Sequence, residues 1–148
     1  MKKSLIVISL ILSVMILSCA SKPITTQDEA NNAFSKIYQQ FQGDIILDGA
    51  GHYTVQSGDT LSKIANANYS DSRYFPLIML ASSDVGVSDP DLIQPGMNLT
   101  IPDLQKNLAD AKAKGKIKNF LHEVAKLYDR RDGRAADATA LRNLAGTL

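Results

Sequence analysis

Tyr53-Thr54-Val55-Gln56-Ser57-Gly58-Asp59-Thr60-Leu61-Ser62-Lys63-Ile64-Ala65 changes its hydrophobic period at Ser57-Gly58. From His52 to Gln56, Tyr53 and Val55 fall on one side and Thr54 and Gln56 on the other, the period of a half-buried strand. Beyond Gly58, Leu61, Ile64 and Ala65 recur at helical spacing to about Asn68-Tyr69. Gly58 supplies a backbone conformation that a side chain resists, and either Asp59 or Thr60 can cap the helix. Ser70-Asp71-Ser72 is a link and a second cap. Tyr74, Leu77, Ile78 and Ala81 form the next helical face, with Pro76 in its first turn, where a missing amide costs little. Ser82 to Pro90 reads as a polar loop. Pro90-Asp91-Leu92-Ile93-Gln94-Pro95-Gly96 closes on a turn signal, and Leu99 and Ile101 alternate in a second strand that Pro102 ends. The order strand, helix, helix, strand predicts an α+β unit: a two-stranded antiparallel sheet with both helices covering one face.

Working outward, Thr26-Gln27-Asp28-Glu29 has the form of a capping box, and Ala30, Ala33, Phe34, Ile37 and Phe41 follow at helical spacing. The pattern predicts an amphipathic helix from Gln27 to Gln42, too short to stand alone and in need of something to dock on. Asp44 to Asp48 is a short strand or an apolar plug, and Gly49-Ala50-Gly51 a hinge. On the other side, Leu104, Leu108, Ala111, Ile117, Phe120, Leu121, Val124, Leu127 and Tyr128 hold a helical spacing that Gly115 interrupts. Asp129-Arg130-Arg131-Asp132-Gly133 reads as a stop, and Ala135 to Ala145 as a weaker helix. Lys112, Lys114, Lys116 and Lys118 read as a solvated helix face.

The chain has 148 residues, of which 45% are hydrophobic and 21% charged, enough for one small domain with flanking segments. Its formal charge of +1 carries no basic excess of the kind that nucleic acid binding needs. Its one cysteine excludes an intrachain disulfide. Met1-Lys2-Lys3 is basic and Leu5 to Leu17 apolar, a run short of the ~20 residues of a membrane-spanning helix and suited to a secretory signal. Ile16-Leu17-Ser18-Cys19 ends that run and resembles the lipobox of bacterial lipoproteins. The resemblance implies cleavage before Cys19 and acylation of Cys19, with Ala20 matching the sorting pattern for the outer membrane. Several acyl chains give stable anchoring where one does not. Cleavage removes Lys2 and Lys3 and no acid, so the mature chain stays near neutral and binding by charge is not expected. The expected divisions are 1–18 signal peptide, 19–51 tether and amphipathic helix, 52–103 central unit and 104–148 C-terminal helical segment.

Little supports catalysis. His52 and His122 lie in different segments, each better suited to a structural place, and Cys19 is committed to lipid. No cluster has metal-ligand spacing, and no cofactor is expected. Asp59, Asp84, Asp89 and Asp91 sit beside turns, where capping explains them. Binding is better supported. The loops Ser57 to Thr60 and Pro90 to Gly96 emerge from one end of the expected sheet. Gly58 and Gly96 leave peptide groups uncovered there, and Leu61, Leu92 and Ile93 offer an apolar floor. Peptide groups over such a floor suit an acetamido-sugar, which has a donor, an acceptor and a methyl.

Tyr53 to Ala65 also resembles the opening of a LysM domain, and Asp91-Leu92-Ile93-Gln94-Pro95-Gly96-Met97-Asn98-Leu99-Thr100-Ile101-Pro102 its close. The resemblance implies a βααβ fold and binding of glycans containing N-acetylglucosamine, peptidoglycan in bacteria and chitin in other settings. It places the groove between Gly58, Asp59, Thr60 and Leu61 on one side and Asp91, Leu92, Ile93 and Gln94 on the other. Three departures stand out: Tyr69-Ser70 for the common Tyr-Gly, Ser82-Ser83 for Ala-Asn, and a longer loop from Ser83 to Asp89. The expected function is that of a lipid-anchored, non-catalytic envelope protein holding peptidoglycan. The alternatives are a protein-interaction adaptor recruiting an envelope partner through its flanking helices, and an accessory to a cell-wall hydrolase.

Overall fold

The computed structural model describes residues 22–85, 87 and 89–148. The expected signal peptide and Cys19 lie outside them. The elements run α1 (Gln27–Phe41), β1 (Gly51–Thr54), α2 (Leu61–Tyr69), α3 (Phe75–Ala81), β2 (Asn98–Ile101), α4 (Leu104–Ala109), α5 (Ala111–Tyr128) and α6 (Ala135–Thr147), with single 3-10 turns at Ser72–Tyr74 and Ser83–Val85. None of the described helices is long and apolar enough to cross a membrane.

The central βααβ unit is as the hydrophobic periods dictate. β1 and β2 pair antiparallel, with Gly51 opposite Ile101 and Thr54 opposite Asn98. The pairing continues irregularly past β1, where the Val55 N–H donates to the Met97 carbonyl at 2.8 Å and the Gly96 N–H to the Val55 carbonyl at 2.9 Å. These two bonds tie the loop after β1 to the loop before β2. α3 opens with Pro76 in its first turn and is buried along its whole length.

The flanking helices bury their apolar faces against this unit. α1 is closed at its N-terminus by the expected capping box of Thr26 and Glu29. Its Phe34 meets the Tyr128 ring edge-on at 6.3 Å between centroids, and Phe75 from α3 stacks on Tyr128 at 6.2 Å. Phe120 sits between Phe41 at 5.5 Å and Tyr38 at 6.2 Å. Apolar side chains of the sheet, α1, α2, α3, α5 and α6 thus form one continuous core. Aromatic pairs of this geometry add ~0.5–1.5 kcal/mol each beyond their buried area.

Four expectations need correction. Asp44 to Asp48 is not a strand. Asn107, fully buried on α4, holds Ile46 instead: its side-chain oxygen accepts from the Ile46 N–H at 2.8 Å and its amide donates to the Ile46 carbonyl at 2.9 Å. The C-terminal helical run breaks at Asp110 rather than Gly115. Asp110 accepts from the Ala113 N–H at 2.7 Å and so caps a new helix, through which Gly115 passes without interruption. The stretch read as a tether is docked from Lys22 onward: the Ile24 N–H donates to the Arg130 carbonyl at 2.8 Å, and Arg130 Nε donates to the Lys22 carbonyl at 2.7 Å. The loop read as polar buries Ser82, Val87 and Asp89. Ser82 Oγ stands in for a strand neighbour, accepting from the Thr100 N–H at 2.9 Å.

Candidate functional site

The site begins with the turn after β1. Gly58 holds φ at +86°, in the left-handed region that glycine adopts without penalty. The turn is locked by Asp59, whose Oδ2 accepts from the Tyr53 hydroxyl at 2.9 Å and from the Gln56 N–H at 2.8 Å. The same bond raises the Tyr53 hydroxyl above the ordinary phenol pKa, because loss of its proton would set two negative oxygens together. Thr60, not Asp59, caps α2, accepting from the Lys63 N–H at 3.2 Å. Lys63 Nζ donates to the Gly58 carbonyl at 2.9 Å, so that peptide oxygen is already occupied. Leu61 is buried beneath.

The facing loop is built on Asp89. Its Oδ1 accepts from the Asp91 N–H at 2.9 Å and its Oδ2 from Gln27 Nε2 at 2.8 Å. Arg131 Nη1 lies 2.9 Å from Oδ2, a close ion pair rather than an aligned hydrogen bond. The Asp91 carboxylate turns to Arg134 Nη2, with Arg131 Nη2 3.7 Å away. Burial and then the negative charge of Asp89 push the Tyr128 hydroxyl far above the usual phenol range.

Between the loops lies a cavity of about 180 Å³. Asp59, Thr60 and Leu61 line it from one side, Asp91 and Ile93 from the other. Gly58, Leu92 and Gln94 are not part of its lining. Leu92 is 44% exposed and so lies outside the apolar floor expected of it. The sequence reading missed Tyr128, Arg134 and Asp137, which reach the same cavity from the C-terminal helices. Tyr128 precedes, and Arg134 and Asp137 follow, a charged stretch that reads as a helix stop; the signal for Arg134 was indirect, since two carboxylates two residues apart, Asp89 and Asp91, need cations from elsewhere.

Every carboxylate in this cavity already has a partner. Asp59 serves its own turn, while Asp91 and Asp137 hold Arg134, the latter at 2.9 Å from Nη1. The arrangement presents a small, partly apolar recess edged by fixed polar groups. A larger cavity of about 580 Å³ runs between α1 and α5. Most of its charges pair locally, Lys22 with Glu29 and Lys126 with Glu123, so no set of free polar groups converges there. Among the described residues no group of histidines, cysteines and acids could hold a metal ion.

Residues 53–102 match the family model of the LysM domain. An uncharacterised protein of Deinococcus radiodurans is 48% identical over 50 residues, which are 34% of this chain and 19% of that protein. Two esterases of Mycobacterium tuberculosis are each 39% identical over 62 residues, 42% of this chain and 13% of theirs. The chain thus spans a fifth or less of the length of these relatives. No solved structure matches it. With the βααβ order, the two facing loops and the family match in hand, residues 53–102 are a LysM domain.

Proposed function

We propose that this protein is a non-catalytic, lipid-anchored protein of the bacterial cell envelope that holds peptidoglycan through its LysM domain. A LysM domain supports binding of peptidoglycan or other N-acetylglucosamine polymers as a class. The observation that carries the reading for this chain is the recess between Asp59-Thr60-Leu61 and Asp91-Ile93. Its volume, about 180 Å³, is below the ~300–1,000 Å³ of pockets for drug-sized ligands and suits a group the size of one sugar. The half-buried Ile93 offers an apolar surface to an acetamido methyl.

Anchoring rests on Cys19 and the apolar run before it. Ile24 is docked on the folded body, and the five Cα–Cα steps from Cys19 to Ile24 span at most ~18 Å. An acylated Cys19 therefore holds the LysM domain close to the bilayer, facing the periplasm from the outer membrane in this reading. Confinement of this kind raises effective concentration, so a weak glycan site suffices. The matches to the esterases cover 13% of those enzymes, and their activity is not carried over.

The test is co-sedimentation of residues 20–148 with insoluble peptidoglycan. Binding is expected, and Ile93→Ala is expected to weaken it without unfolding the protein. Protein that stays in the supernatant, wild type and variant alike, overturns the glycan reading. Incorporation of labelled palmitate, lost in Cys19→Ala, tests the anchor separately.

A further inference from the structure

The recess between the two LysM loops is lined in part by the C-terminal segment, which contributes Tyr128, Arg134 and Asp137. Gly133, with φ +76°, turns the chain after α5 and brings Arg134 to the cavity. Arg134 is fixed there from three directions. Its Nη2 pairs with Asp91, its Nη1 lies 2.9 Å from Asp137 Oδ2, and its guanidinium carbon stands 5.4 Å from the centroid of the buried Tyr128 ring. Displacing it would leave Asp137 without its partner, Asp91 with only Arg131 3.7 Å away, and the Tyr128 ring without the guanidinium beside it. These contacts place the Arg134 side chain along one wall of the recess. The recess that Arg134 and Asp137 help to line is about 180 Å³, room for one sugar-sized group.

We propose that this LysM groove takes the terminal sugar of a glycan strand, and that Arg134 is the specificity-determining residue that stops the strand there. The proposal rests on the glycan reading above and adds the part of the polymer that is bound. A terminal sugar has a free hydroxyl where an internal one has a glycosidic link. A guanidinium has five N–H donors, and the two carboxylates leave some of Arg134's for such a hydroxyl. The lining carries Asp59, Asp91 and Asp137 against the one guanidinium of Arg134, so it disfavours a terminal sugar that bears a negative charge. The remaining units of the strand leave through the open side.

The test counts binding sites per chain. Residues 20–148 are titrated with uncharged N-acetylglucosamine oligomers of two lengths, one twice the other, at known concentrations of chain ends. Wild type is expected to bind in proportion to the number of chains, so that doubling the length leaves the protein bound per chain unchanged. Arg134→Ala, checked for folding by circular dichroism, is expected to open the groove and at least double the protein bound per long chain. Wild-type binding that rises in proportion to length overturns the proposal and leaves the glycan reading intact. The wild-type comparison decides this even if the variant fails to fold. A folded Arg134→Ala that still counts chains removes Arg134 from its role. If neither protein binds any oligomer or insoluble peptidoglycan, the glycan reading falls and this inference with it.

Discussion

Replacing Asp89 by Asn should destabilise the whole chain, although Asp89 lies in a loop. Its side chain is fully buried and joins three parts of the molecule: Gln27 on α1, Arg131 after α5, and the Asp91 backbone. Asn has the same shape and can still accept from the Asp91 N–H. Its amide would, however, face the Arg131 guanidinium and remove its close partner, leaving only the half-exposed Asp91 carboxylate 3.7 Å away. Removing one partner of a buried ion pair costs ~3–5 kcal/mol. The Arg131 side chain keeps 17% of its surface in water, which places the cost at the lower end, about 3 kcal/mol. At about 4 °C per kcal/mol for a chain of this size, the melting temperature falls by about 12 °C. Urea unfolding of residues 20–148, followed by far-ultraviolet circular dichroism, should show a lower midpoint at unchanged slope. The double variant Asp89→Asn with Arg131→Met, which retains neither charge, should recover more than half of the loss. A cost under ~1 kcal/mol for Asp89→Asn refutes the reasoning, since that is the range of exposed pairs. A double variant that loses the sum of the two single costs refutes it equally.

Three further outcomes follow from single side chains. Ser82→Ala strips the Thr100 N–H of its partner inside the structure and should cost ~1–3 kcal/mol by thermal melting, with Ser82→Thr less harmful than Ala if its hydroxyl reaches the same amide. Ser70 closes α2 at φ +59°, a left-handed conformation that costs a side chain ~1–2 kcal/mol; after the entropy cost of glycine, Ser70→Gly should raise stability by ~0.5–1 kcal/mol, a few degrees of melting temperature. Glu29 accepts from the Thr25 N–H at 3.0 Å and pairs with Lys22 at 3.1 Å, which holds its carboxyl down from 4.5 to about 2. A lowered folded-state pKa adds stability that is full above 4.5 and fades as pH falls toward about 2; melting temperature across that window should decline less steeply in Glu29→Gln, with a residual slope from Asp71 and Asp129, which Arg73 and Arg142 hold below the usual carboxylate range.

The βααβ unit was legible because its signals are local: alternation in Tyr53 and Val55, helical spacing from Leu61, and turn chemistry at Gly58 and Gly96. What was not legible depends on partners distant in sequence. Ile46 looked like a strand residue because nothing nearby announces Asn107, whose amide satisfies both its backbone groups. Gly115 looked like the helix break by propensity, but a single capping bond from Asp110 decided the position and packing carried the glycine. Ser82 and Asp89 looked solvated because polarity alone cannot distinguish a side chain facing water from one that meets Thr100, Gln27 or Arg131. In the site, Asp59, Thr60 and Leu61 were found as neighbours by spacing, while Asp59 proved to be committed to Tyr53 and Gln56. Arg134 could not be found, since its place depends on how α5 and α6 dock.

Two of the three departures from the LysM pattern acquire a physical sense in this packing. A unit of this size buries too little surface to hold long loops rigid. The longer loop from Ser83 to Asp89 buries Val87, and Asp89 at its end is clasped by α1 and by Arg131. Ser82 at its start is pinned to β2 through Thr100. The loop is thus fixed at both ends, and the segment that follows it, Asp91 to Ile93, forms one side of the groove. Asp91 is in turn fixed by Arg134. One side of the recess therefore takes its shape from helices that contribute nothing to the LysM motif. Cutting the chain to residues 52–103 would keep every motif residue and remove Gln27, Arg131 and Arg134 together. A fragment that binds glycan differently from residues 20–148 would then report lost support under the loop from Asp89 to Ile93, with every residue of the motif still in place.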